Sequence, residues 1–305
     1  MLPPVIVLGC TASGKSDVAM EVATTSSTPV HIVAADAMQV YRRMNIGTAK
    51  PTAQDQQQVP HHCVDLVEPN ERFTVAAYLE HAQQAFRDID GMGARALVVG
   101  GTGLYVSAIV DGLSMPGEWP EIRTELENNP DTAAMYAELV VRDPQAASKM
   151  EPNNRRRIIR ALEVCRGSGT TFSSFGPGLD QYPPTDITMV GIRWSREALG
   201  RRIEARVHAM VAAGLVDEVA SLLAASGGLS LTAAQALGYK EVIAHLEGHI
   251  TVAEAVDLIV LRTRQFAVRQ ERWFRRDPRI IWVDIDDDAP SAVSKVAPVV
   301  RGFLS

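Results

Sequence analysis

Val5 to Leu8 is an unbroken apolar run that ends in Gly9, and the segment Ser16 to Thr24 that follows has helical character. That order predicts a strand, a glycine loop and a helix. A second strand is predicted over Val30 to Ala35, stopping at Asp36, and a third over Ala94 to Val99, stopping in Gly100-Gly101-Thr102-Gly103. Between them, Thr74 to Asp90 places Val75, Tyr78, Leu79, Ala82 and Phe86 at helical spacing. Strands alternating with helices predict an α/β fold in which a parallel sheet is covered by helices.

From about Pro116 the texture changes, and helical stretches at Pro120 to Asn128, Asp131 to Val141 and Asn154 to Arg166 replace strands. The reading is an inserted helical subdomain, residues 116–188, within a core made of residues 1–115 and 189–305. It closes with the Gly- and Pro-rich loop Gly167 to Pro184. Thr188 to Trp194 then reads as a strand returning to the sheet, Arg196 to Ala225 and Val252 to Arg276 as long helices, and Arg279 to Asp284 as one more strand.

With 305 residues, 46% hydrophobic and 22% charged, the chain can bury one large core or two modest ones, which excludes a disordered protein. No basic segment precedes the first strand, and no apolar stretch reaches the roughly 18 residues of a membrane helix. The expectation is a soluble cytoplasmic protein with no membrane partner. Cys10, Cys63 and Cys165 are too few and too scattered for a disulfide framework or a zinc site. A net charge of −6 looks wrong for a nucleic-acid binder, but phosphate contacts depend on local patches.

Residues 9–16 read Gly-Cys-Thr-Ala-Ser-Gly-Lys-Ser, the G-x-x-x-x-G-K-[ST] pattern in its strand–loop–helix context. Backbone N–H groups of Gly9, Thr11, Ala12, Ser13 and Gly14 are expected around linked phosphates. Lys15 adds a point charge, and Ser16 is the candidate ligand for Mg²⁺. The pattern does not say whether those phosphates belong to a nucleotide. An ATP-using enzyme commonly carries a second acidic residue at a later strand end, where this chain has glycines and a threonine.

Asp36 lies at the carboxyl end of the second strand, on the edge where open parallel sheets place ligands, although Asp at a strand end is often a turn or capping residue. Thr102 shares that edge, and its flanking glycines suggest close approach of the backbone to a ligand, with a plain tight turn as the alternative. Residues 262–279 hold Arg262, Arg264, Arg269, Arg272, Arg275, Arg276 and Arg279 with Phe266, Trp273 and Phe274 interleaved, and Arg155, Arg156, Arg157 and Arg160 open a helix of the insert. Both clusters suit RNA backbone and base contacts; the plain alternative is a solvated face. The pair His61-His62 reads as structural, because only Asp65 lies near it.

Together these segments resemble the tRNA dimethylallyltransferase family over almost the whole chain. The resemblance rests on Gly9 to Ser16, Asp36-Ala-Met-Gln-Val-Tyr41, Gly47-Thr-Ala-Lys-Pro51, Pro60-His-His62, Gly100-Gly-Thr-Gly-Leu-Tyr105, Arg157-Ile-Ile-Arg-Ala-Leu-Glu163, Gln235-Ala-Leu-Gly-Tyr-Lys-Glu241 and Thr263-Arg-Gln-Phe-Ala-Val-Arg-Gln270. It implies a P-loop holding dimethylallyl diphosphate with Mg²⁺, and Asp36 as the base toward the exocyclic amine of the adenosine 3′ to the anticodon. It further implies that Thr102 and Arg123 lie near that adenosine or the diphosphate, and that Arg206 lies near the reacting groups. Ala37, Met38, Gln39, Arg123, Arg156, Arg157, Arg160, Gln235, Gly238, Tyr239, Arg264, Arg269, Gln270, Arg272 and Arg275 then fall to the tRNA anticodon stem-loop, in a monomeric enzyme.

The chain departs from the common family pattern at Cys10, where proline is usual, at Ala37, where serine is usual, and at Arg156, where glutamine is frequent. The zinc finger of eukaryotic members has no counterpart, which implies a bacterial-type enzyme. Two other uses of the loop stay open on the residues alone: a small-molecule or nucleoside kinase using ATP, and an RNA-binding protein whose loop senses a phosphorylated ligand.

Overall fold

The computed structural model describes residues 2–304 apart from Ser114, Pro177, Asp180 and Asp288. Two members of the loop 167–184, Pro177 and Asp180, therefore lie outside the described residues. The chain divides into two compact units, one of residues 1–111 and 184–305 and the other of residues 112–183.

In the first unit, strands β1 (Val5–Gly9), β2 (Val30–Ala35), β3 (His61–His62), β4 (Arg95–Gly100), β5 (Thr188–Arg193) and β6 (Ile280–Asp284) form one sheet in the order β3-β2-β4-β1-β5-β6. Every pairing is parallel. The helices before the insert are α1 (Lys15–Thr25), α2 (Ala53–Gln58), α3 (Val75–Gly91) and α4 (Gly103–Asp111). The second unit contributes α5 (Pro120–Asn128), α6 (Thr132–Arg142), α7 (Pro144–Ala147) and α8 (Arg155–Ser168). The first unit resumes with α9 (Arg196–Ala212), α10 (Leu215–Ala224), α11 (Leu231–Ala234), α12 (Tyr239–Leu246), α13 (Val252–Phe274) and α14 (Val293–Leu304).

Successive residues of β1 explain why it reads as a continuous apolar run. Val5 and Val7 pack with α1 and α14 on one face, while Ile6 and Leu8 pack with α3, α4 and the end of α13 on the other. A third apolar cluster joins α9, α10, α12 and α13 to Val40, Tyr41 and Met44 and to the loop residues Cys10 and Ala12. That cluster builds a wall beside the carboxyl ends of the strands, where the sheet opens for a ligand.

The structure corrects several expected boundaries. The single helix expected over 196–225 is two, α9 and α10, bent by 58° at Gly214, whose φ of 97° no ordinary side chain adopts cheaply. Helix α13 stops at Phe274, so Arg275 and Arg276 follow it. Strand β3 and helices α2, α4, α7, α11, α12 and α14 have no counterpart in the sequence reading. Helix α4 is the clearest case, because Leu104 to Val110 is apolar almost throughout and shows no helical period.

In the second unit, Leu126, Met135, Leu139, Ile158 and Leu162 form the core. Arg155 donates to the carbonyls of Leu126, Glu127 and Asn129, satisfying the open end of α5. Among the described residues no single helix is long and apolar enough to cross a membrane.

Candidate functional site

Side-chain donors engage the carbonyls of the loop between β1 and α1. Lys15 Nζ donates to the Cys10 carbonyl at 2.7 Å, Arg202 Nε to that of Ala12 at 2.9 Å and Trp194 Nε1 to that of Ser13 at 3.0 Å. Ala12 and Gly14 take left-handed φ values of 61° and 88°, which curl the loop. With no side chain capping α1, the N–H groups of its first turn are left for an external acceptor. The Ser13 hydroxyl is buried without a partner in the same loop. These are the donors of an anion cradle.

Charge reinforces the cradle. Burial holds the Lys15 ammonium down at about 8, helped by nearby Arg206 and opposed by Cys10 and Asp36. Burial also lowers the Arg206 guanidinium, against the pull of Asp36 and Asp17. Two poorly hydrated cations beside one loop are the condition that a bound diphosphate relieves. Ser16 opens α1 with Asp17 after it, and the described residues contain no group of three or more His, Cys, Asp or Glu placed for a metal. A hard cation such as Mg²⁺ would fit this donor set, the Ser16 hydroxyl being the protein oxygen available to it beside bound phosphates.

Asp36 follows β2 on the same edge. Its Oδ1 accepts the N–H of Met38 at 2.8 Å and of Gln39 at 3.3 Å, which fixes the carboxylate plane and leaves Oδ2 for another partner. The capping and ligand-facing roles weighed for Asp36 are thus compatible. Thr102 locks to the same turn, for its hydroxyl accepts the Ala37 N–H at 3.1 Å and its own N–H donates to the Ala35 carbonyl at 3.2 Å. The Gln39 amide is spent on the carbonyls of Thr48 and Ala49, both at 3.1 Å.

One cavity of about 1190 Å³ joins these groups. Lys15, Ser16, Asp36, Thr102 and Arg206 line it, and Ile203, Val207, Met210, Leu215, Ile259 and Phe266 give it an apolar side. It therefore offers an anion cradle, a carboxylate and room for a hydrocarbon within one enclosure. Residues 39–277 match the IPP transferase family, and residues 5–64 match the isopentenyl transferase family.

The chain belongs to the IPP transferase family.

Among its relatives, the tRNA dimethylallyltransferases of Geobacter metallireducens and Desulforudis audaxviator are each 44% identical to it. The alignments cover 98% and 93% of this chain and 96% and 93% of theirs. The crystal structure of the tRNA isopentenylpyrophosphate transferase of Bacillus halodurans, 34% identical, superposes with a TM-score of 0.70 over 100% of this chain and 97% of that one.

Within this family member the expected site residues divide. Thr11 to Ser16, Asp36 to Gln39, Thr102, Arg206, Gln235, Gly238, Arg269 and Gln270 line the cavity. The N–H groups of Thr11 and Ser13, expected around the phosphates, are instead spent on Gln270 and, at 3.2 Å, on the Cys10 carbonyl. Gly9, at φ 158°, is extended backbone at the end of β1. Tyr239, assigned by resemblance to the RNA, is instead fully buried, and its hydroxyl donates to Glu218 at 2.6 Å. Glu218 in turn accepts the N–H groups of Asn45, Ile46 and Gly47, so this pair secures the 45–50 loop that borders the cavity. The Gly238 N–H is spent on Glu241.

Gln270 also departs from its expected place. Its Oε1 accepts the Thr11 N–H at 2.8 Å and its Nε2 donates to the Gly101 carbonyl at 2.8 Å, so both ends are held by the protein. The glycines around Thr102 were expected to admit a ligand, but they admit α13: a Cβ on Gly101 would strike Gln270, and one on Gly103 would strike Trp273.

The basic stripe is only partly free. Arg262 pairs with Glu241, Arg264 with Glu204 at 2.7 Å, and Arg279 with Asp277 and Asp111, each at 2.7 Å. Arg275 lies 3.6 Å from Glu271, Arg269 lies over Phe266 and Arg276 over Trp273. Arg272 is exposed and has no ion-pair partner among the described residues. In the second unit, Arg156 and Arg157 are exposed, whereas Arg160 donates to the carbonyls of Pro116 and Gly117. Arg123 faces Glu127 at 2.9 Å and the buried Glu163 at 3.6 Å.

Cys10 is inert in this setting: its thiol donates to the Ala267 carbonyl, and burial pushes it up to about 11. His62 meets His31 at 3.1 Å, and His61 meets the Val59 carbonyl at 2.8 Å, in keeping with a structural pair. Sequence reasoning missed Arg202, which also lines the cavity, and Trp194; they hold the Ala12 and Ser13 carbonyls of the loop. Arg202 lies four residues before Arg206, one helical turn away, and that spacing was a usable signal.

Proposed function

We propose that this protein transfers the dimethylallyl group of dimethylallyl diphosphate to the N6 amine of the adenosine 3′ to the anticodon in tRNA, releasing diphosphate. The observation that carries the reading is the shared enclosure of the phosphate cradle, the oriented Asp36 carboxylate and an apolar wall. The names of the relatives support it. A kinase reading loses support because β4 ends in Gly100-Gly101-Thr102, with no acidic residue there to hold a nucleotide's metal.

In the proposed step the bond between the allylic carbon and the diphosphate oxygen breaks, and its electron pair leaves with the diphosphate. The amine nitrogen forms the new bond to that carbon, and its proton passes to Oδ2 of Asp36. Cradle N–H groups, Lys15 and Arg206 stabilise charge where it builds on the leaving group, a contribution preorganised before reaction begins. Mg²⁺, when bound beside Ser16, neutralises part of the diphosphate charge. Met38 and Gln39 N–H groups hold Asp36 in place, and Thr102 holds the turn that carries it.

The base must leave its stack to enter the cavity, at a cost of a few kcal/mol. Exposed arginines, Arg272 on the first unit and Arg156 and Arg157 on the second, offset that cost through backbone phosphates. The enzyme acts as a cytoplasmic monomer in this reading. Incubation of the protein with donor and unmodified tRNA tests it: the adenosine beside the anticodon gains one dimethylallyl mass. Consumption of ATP without RNA, and no gain in tRNA mass, is the opposite result.

A further inference from the structure

Helix α13 touches both loops of the site through one side chain. Gln270 is buried, and its amide is fully engaged: the oxygen takes the Thr11 N–H of the phosphate loop, and the nitrogen donates to the Gly101 carbonyl of the Thr102 turn. Among the described residues those two atoms bond to no other element, and the fit is close enough that a Cβ on Gly101 would strike the Gln270 amide. One helical turn earlier the Ala267 carbonyl accepts the Cys10 thiol, and one turn later Trp273 covers Gly103. Thr102 in turn bonds the Ala37 N–H next to Asp36. A continuous chain of contacts therefore runs from the diphosphate cradle through Gln270 to the base.

We infer that Gln270 is a positioning residue that sets the distance between the phosphate loop and the turn carrying Thr102 and Asp36, and that it makes no contact with RNA. The assignment rests on the transfer reaction proposed above. An amide side chain of this length supplies an acceptor for one loop and a donor for the other at any pH. Removing it leaves the buried Gly101 carbonyl and the half-buried Thr11 N–H without this partner, which misplaces the leaving-group cradle relative to the base.

Gln270→Leu and Gln270→Glu test the assignment, assayed beside the wild type for transfer to tRNA, for inorganic diphosphate affinity and for the salt dependence of tRNA binding. In Gln270→Leu, kcat/KM for the donor should fall about 30-fold, as expected for buried polar groups left unpaired. tRNA affinity and its salt slope should stay within about twofold. Gln270→Glu keeps the size, so it serves where the leucine variant does not fold. Its ionised carboxylate accepts from Thr11 but cannot donate to Gly101, whereas the protonated acid does both. Its activity relative to wild type should therefore rise as the pH falls from 8 to about 5.5, a recovery that loss of packing alone does not produce.

Loss of tRNA affinity with donor use intact in Gln270→Leu would make the residue an RNA contact and overturn the inference. Wild-type rates in both variants, or a flat relative pH profile in Gln270→Glu, would overturn it too. Failure of the wild type itself to prenylate tRNA would remove the underlying reaction instead.

Discussion

Lys15 makes the affinity for the prenyl donor depend on pH in a direction fixed by the cradle. Burial lowers its ammonium from the ordinary 10.5 to about 8. At roughly 1.4 kcal/mol per tenfold, that difference is worth about 3 kcal/mol against the charged form. In the empty protein the unfolded chain holds the extra proton between these values, so folding stability rises with pH through that window. Donor binding runs the other way. A diphosphate restores the charged form, so below about pH 8 the proton is already in place and affinity is flat. Above it, binding must take up a proton, and affinity falls by up to tenfold per pH unit.

Calorimetry of dimethylallyl diphosphate binding without tRNA, in two buffers of different ionisation enthalpy, counts that proton. The donor's own phosphates, with a last ionisation near about 6, contribute little above pH 7.5. Uptake should be near zero at pH 7 and approach one proton at pH 9, and Lys15→Ala should abolish the difference. Equal proton counts at both pH values in the intact protein would refute the reasoning.

Three further outcomes follow from the packing and the charge pattern. Arg272, exposed and without an ion-pair partner among the described residues, should contribute about 0.7 to 0.9 of a unit to the salt slope of tRNA binding; Arg272→Ala should remove it, while Arg264→Ala, whose arginine is already paired with Glu204, should change the slope less. Gly47→Ala drives a methyl into the Tyr239 ring and Leu215, and should cost about 1 to 3 kcal/mol in denaturant unfolding. Glu163, wholly buried, accepts the Trp119 N–H and faces Arg123 and Arg160; Glu163→Ala should destabilise the protein by about 3 kcal/mol or more, read as an earlier denaturant midpoint.

How far the chain could be read without its structure depended on the range of each constraint. The phosphate loop was legible because its glycines, lysine and serine act within eight consecutive residues. The position of Asp36 at the cavity was legible because a parallel sheet brings strand ends to one edge. Arginine roles were not, since pairing is tertiary: Arg262 meets Glu241 across 21 positions and Arg264 meets Glu204 across 60. Gly101 and Gly103 announced a close approach without saying that α13 makes it. Tyr239 sits in a motif assigned to RNA, yet its ring is core and its hydroxyl serves Glu218, a partner that no local pattern reveals.

Single-turnover prenyl transfer by Asp36→Asn, with donor and tRNA both saturating, bears most directly on the claim that a carboxylate beside the cradle accepts the amine proton. The side chain keeps its shape and can still accept the Met38 and Gln39 N–H groups, so affinities for both substrates should stay within about twofold while the rate falls by about 10² to 10⁴. A rate close to that of the unaltered protein would show that the proton goes elsewhere.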